Sequence, residues 1–163
     1  MCTYSTGFVV FKALIIVVYS TSFKRGIRML NDRKQVLLQD EITASKSVKW
    51  MMHTNATVTP DSSGSSATLE LNGKKLVMQI LSPSGAKFSM QSPAARSQDD
   101  PPLPAGEQNQ DQPNPTVTAV SIELDAGTHN IQVLFNPQWD GMSSSDFKTP
   151  SSVGIDSWSL TSH

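Results

Sequence analysis

Hydrophobic and polar residues alternate along most of this chain with a period of two, which is the spacing of strands that bury one face. The clearest case is 47–54, where Val48, Trp50 and Met52 fall on one side and Lys49, Met51 and His53 on the other. Before it, 34–42 carries Val36, Leu37 and Leu38 and stops at Asp40-Glu41, with the small polar run 43–46 leading into 47–54 as the second arm of a hairpin. Upstream, 23–30 reads as a strand, and Asn31-Asp32-Arg33 as a tight turn. Downstream, 67–71 and 74–81 flank Asn72-Gly73, the strongest short hairpin signal available. Further strands are predicted at 86–91, 116–124, 129–136 and 153–160, with 116–124 and 129–136 forming another hairpin about Asp125-Ala126-Gly127-Thr128. Helical periodicity persists nowhere, so the expected fold is all-β, two antiparallel sheets packed face to face as a β-sandwich. The predicted core comprises Val36, Leu38, Val48, Trp50, Leu69, Leu71, Val77, Ile80, Ile131, Val133, Phe135, Ile155 and Trp158.

Two stretches break the pattern. Residues 7–18, GFVVFKALIIVV, form the most apolar run, interrupted by Lys12 and too short to span a bilayer comfortably. Residues 1–22 therefore form an atypical apolar segment, readable as a buried strand or as a signal or anchor, although no basic region precedes it. Residues 92–115 hold most of the prolines and, besides Leu103, almost no large apolar side chain. Such a segment buries too little surface to offset its ordering entropy, and a mobile loop within one domain, 23–163, is expected.

Composition changes this picture little. A chain of 163 residues fits a single domain with a core of its own. A hydrophobic content of 37% and a charged content of 17% are low, as in β-proteins with long surface loops. A net charge of −1 argues against a dedicated nucleic-acid binder. The single Cys2 excludes an internal disulfide. Positive charge gathers at Lys24, Arg25, Arg28, Arg33 and Lys34, a cluster that suits either an acidic polysaccharide or a solvated sheet face with a blunted edge. Asn55-Ala56-Thr57 is a glycosylation sequon, meaningful only in a secreted chain. No Ser-His-Asp or Cys-His arrangement, phosphate loop or glycosidase carboxylate pair is legible, and no catalytic residue is assigned.

Three stretches, KRGIRMLNDRKQVLLQDEI, VKWMMHTNATV and GKKLVMQILSPSGAKF, together with the tail GTHNIQVLFNPQW, resemble the C-terminal β-sandwich of heparinase II/III-like polysaccharide lyases. The similarity covers about residues 22–163 and lies in strand patterns rather than in a catalytic signature. The resemblance implies a lyase that cleaves uronic-acid glycans by β-elimination in a cleft between the sandwich and an α-helical toroid. That toroid supplies most of the catalytic groups and has no counterpart in this chain. A truncated member is implied, inactive unless a toroid comes from another chain; the alternative is a non-catalytic carbohydrate-binding or structural sandwich. The resemblance further implies a structural zinc, with Asp40 and His53 as two ligands converging on one face. His129 and His163, the remaining histidines, are not recruited.

Overall fold

The structure, a computed structural model, describes residues 12–15, 20–95, 106 and 114–159. It is an antiparallel β-sandwich of two sheets. One sheet has six strands in the order β2-β3-β10-β7-β6-β5: β2 (Ser20–Leu30), β3 (Gln35–Ala44), β10 (Gly127–Pro137), β7 (Lys74–Ser82), β6 (Ser66–Leu71) and β5 (Thr57–Pro60). The other has four in the order β1-β4-β9-β8: β1 (Lys12–Ile15), β4 (Val48–Thr54), β9 (Thr118–Leu124) and β8 (Ser89–Gln91). Among the described residues no helix is long and apolar enough to cross a membrane. Of the apolar N-terminal segment, Lys12–Ile15 forms a strand against β4, and the rest up to Val18 lies outside the described residues. Most of the expected mobile loop at 92–115 also lies outside them, its two ends joined by a bridge between Ala94 and Asn114.

Turn chemistry sets two of the local hairpins. Asn31, Asp32 and Arg33 all take positive φ, at 53°, 55° and 66°, and return β2 onto β3. Asn72 and Gly73, at φ 52° and 72°, supply the two left-handed positions that join β6 to β7 without splaying them.

The other two expected hairpins do not form. β3 pairs with β2 and β10, whereas β4 pairs with β1 and β9. The three residues between β3 and β4 carry the chain from one sheet to the other, and so does Asp125-Ala126 between β9 and β10. The two crossings lie side by side, since Ala44 is in register with Gly127 and Val48 with Leu124. Alternation tells which face a strand buries but not which strand lies beside it, and both arrangements satisfy the same pattern.

The core lies between the sheets. Trp50, Met52, Val120 and Ile122 of the four-stranded sheet are fully buried against Leu38, Ile42, Met78, Ile131 and Val133 of the other. Most predicted core residues are here, with Val36 and Leu71 packed at the margin. Val77 is an exception, because Met78 and Ile80 set the buried phase of β7 and turn Val77 to the opposite face. Over 153–159, the described part of the strand expected at 153–160, the chain is irregular, with a 3-10 turn at Ile155–Ser157 and no strand.

That irregular tail is held across the outer face of the six-stranded sheet, and residues 138–159 act as a strap. Its backbone groups have no ladder to join, and a row of buried amide side chains meets them instead. Gln35 binds Lys148 at both ends, donating to its carbonyl (3.1 Å) and accepting from its N–H (2.9 Å). Gln39 donates to Val153 O (3.0 Å), Gln132 to Ser152 Oγ (3.1 Å), and Ile155 N–H to Glu41 Oε1 (2.8 Å). Lys24 pairs with Asp156, whose carboxylate raises the lysine pKa. Within the strap, the Ser143 N–H donates to Asp146 Oδ2 (2.6 Å) and lowers that carboxyl's pKa. Trp158 packs beside a small outer cluster of Leu30, Leu37 and Leu134. Neither Trp158 nor Ile155 is therefore part of the core between the sheets.

Trp158 lies directly over Gly26, where an added Cβ would meet the ring at 2.5 Å. Gly26→Ala is therefore expected to lift Trp158 off β2 and destabilise the protein by about 1–3 kcal/mol, as overpacking does. Thermal denaturation and faster proteolysis within 138–159 are the readouts; unchanged cleavage would show that the strap does not depend on this contact.

Candidate functional site

Asp40 is central on β3, on the same face as Leu38 and Ile42, and is fully buried between the sheets. A buried carboxylate needs a partner. The antiparallel register supplies one, because Arg25 on β2 stands directly opposite. Arg25 Nε donates to Asp40 Oδ1 at 2.6 Å and a second guanidinium nitrogen to Oδ2 at 2.8 Å. Both carboxylate oxygens are thus engaged in the two-pronged geometry that suits arginine rather than lysine. Phe23, two residues back on the same face, stacks under the guanidinium at 5.8 Å from the ring centre.

His53 lies elsewhere. It is on β4 in the other sheet, and alternation with buried Trp50 and Met52 turns it to that sheet's outer face, half-buried. The expected convergence of Asp40 and His53 does not occur: one side chain points between the sheets and the other points away from them. The pair does not fit a shared zinc ion, and a metal at Asp40 would first have to displace Arg25. The physical reason is the crossing after Ala44, which sends β3 and β4 into separate sheets. Among the described residues no group of three or more His, Cys, Asp or Glu side chains gathers as a metal site. His129 Nε2 is engaged with the Asp125 carbonyl at 2.8 Å, at the other crossing.

What the sequence reading missed is the surface around Arg25. On β2, Phe23, Ile27 and Met29 share the face of Arg25 and stand opposite Ile42, Leu38 and Val36. On β3 this face belongs to the core; on β2 it is open, with Phe23 40%, Ile27 67% and Met29 55% exposed. β2, an edge strand of the six-stranded sheet, thus carries a strip of core-type residues that is exposed on this face. Phe23, Ile27 and Met29 at alternate positions were a legible signal, but their exposure was not.

The fold and this surface define an all-β sandwich with an exposed apolar strip on its edge strand β2. Comparison with known protein families and with curated proteins finds no match for the chain.

Proposed function

We propose that the chain is a non-catalytic β-sandwich module that docks through β2 against a helical catalytic domain, in the manner of the heparinase II/III-like lyases it resembles. The observation that carries this reading is the exposed strip of Phe23, Ile27 and Met29 around the Arg25–Asp40 pair. Apolar residues clustered at a sheet edge mark protein contact surfaces, and a neighbouring arginine suits the rim of one. The elimination itself requires a group to neutralise the uronate, a base at C5 and an acid at the leaving oxygen. Asp40, the acid beside the strip, is held by Arg25 at both carboxylate oxygens and is not free to act as the base.

The test uses the purified chain alone and mixed with the isolated helical toroid of a heparinase II/III-like lyase. Alone, it is expected to release no ultraviolet-absorbing unsaturated uronate from heparan sulfate or alginate. Mixed, it is expected to associate, as read by light scattering, and Ile27→Asp should abolish the association. Product from the chain alone would overturn the non-catalytic assignment; absence of association would overturn the docking assignment.

A further inference from the structure

Between β4 in the four-stranded sheet and β5 at the edge of the six-stranded one, the chain crosses in two residues, Asn55 and Ala56. The bend is fixed locally, because the Ala56 N–H donates to Thr54 Oγ1 at 3.0 Å. Burial alternates through it: Thr54 and Ala56 are 3% and 4% exposed, whereas Asn55 and Thr57 lie open to solvent. Asn55-Ala56-Thr57 is the Asn-X-Thr pattern that accepts an N-linked glycan, with a residue other than proline at its centre. The amide that takes the sugar and the hydroxyl two residues on are thus both on exposed residues. Only Ala56 turns inward, and its methyl is small enough to be covered.

The alternation decides whether such a site can be used. An attached oligosaccharide is bulky and hydrophilic and has to stay outside the folded sandwich. A shift of one position would bury Asn55 as deeply as its two neighbours, and the sugar would then block closure of the sheets. Asn114 supplies the contrast: it too is exposed and stands two residues before a threonine, Thr116, but Pro115 lies between them. We propose that Asn55 is the acceptor of one N-linked glycan, carried outward from the β4–β5 bend. In a compartment that holds a lipid-linked oligosaccharide diphosphate and its transferase, Asn55 Nδ2 attacks the anomeric carbon of the donor. The C–N bond forms as the anomeric C–O bond breaks, the lipid diphosphate leaves, and one amide proton passes to a base on the transferase. β5 and β2 are the opposite edges of the six-stranded sheet, five strand spacings or about 24 Å apart. The glycan is therefore rooted at the edge away from Phe23, Ile27 and Met29, and the proposal does not rest on the docking reading.

The experiment translates the full chain behind a cleavable secretory leader in the presence of microsomes from endoplasmic reticulum, which reads the transfer without requiring export. A single step of reduced gel mobility is expected, reversed by peptide N-glycosidase, with the modified site mapped by mass spectrometry to the tryptic peptide 50–74. Asn55→Gln and Thr57→Ala should each abolish the step, and Thr57→Ser, which keeps the hydroxyl, should retain it. Both positions are exposed, so these variants are expected to leave the fold intact. The glycosylated product and the Asn55→Gln product are expected to resist limited trypsin digestion equally, because the sugar stands outside the sandwich. Absence of the mobility step, a step that survives Asn55→Gln, or a glycan mapped to Asn114 would each overturn the acceptor assignment. Faster digestion of the glycosylated product would overturn the outward placement. Ile27→Asp, which tests docking, lies on the far edge and is expected to leave the mobility step unchanged, so the docking reading and the acceptor site fail separately.

Discussion

Arg25→Met is expected to lower stability by about 3–5 kcal/mol, because it leaves the Asp40 carboxylate buried without its ion partner. Asp40 has no exposed side-chain surface, whereas the Arg25 side chain keeps 21%, so the cost falls mainly on the acid left behind. A loss of this size is a large share of the about 5–15 kcal/mol that holds a typical domain together. The double variant Arg25→Met/Asp40→Leu is expected to recover most of it, since replacing a buried pair by apolar residues of similar volume is often neutral. Urea denaturation of the four proteins in the cycle measures this. A single variant as stable as the parent would show that water reaches Asp40 and solvates it. The same cycle bears on the docking surface, because Met at position 25 would extend the apolar strip of Phe23, Ile27 and Met29 and promote self-association.

Trp50→Ala is the second large effect, at about 3–5 kcal/mol, the usual cost of emptying a large aromatic site in a close-packed core. Trp50 is fully buried between the sheets, in contact with the cluster that both contribute. Trp50→Phe is expected to cost much less than the difference in size suggests. The indole Nε1 is buried without a hydrogen-bond partner among the described residues, and phenylalanine removes that unsatisfied donor. An unmet buried donor costs about 1–3 kcal/mol, which offsets part of the lost packing. Chemical denaturation of the two variants side by side is the measurement. Equal losses for Phe and Ala would show that the N–H is solvated or bonded after all.

Faces were legible in the sequence and partners were not. The alternation of Val48, Trp50 and Met52 against Lys49, Met51 and His53 correctly assigns which side of β4 is buried. The same rule fails at Val77, where Lys74-Lys75 and Leu76-Val77 are adjacent like pairs and the phase is ambiguous over the first half of β7. Gln35, Gln39 and Gln132 sit on the strand faces opposite the core, yet they are almost wholly buried. Nothing local distinguishes an amide that faces water from one that, like Gln35 or Gln39, holds a strap more than a hundred positions away. The strap's own composition, serine-rich with scattered apolar residues, reads equally as a loop or as a weak edge strand.

Sequence alone determined that this is an all-β chain, where its tight turns are and most of what fills its core, because period-two patterning and turn chemistry act between near neighbours. Only the tertiary structure decided that β3 and β4 part company after Ala44, that Asp40 meets Arg25 rather than His53, and that Phe23, Ile27 and Met29 on β2 stay exposed. Those outcomes depend on which distant strands compete for each edge. β10 takes one edge of β3 and β9 one edge of β4, and the register of β2 on β3 then places Arg25 beside Asp40.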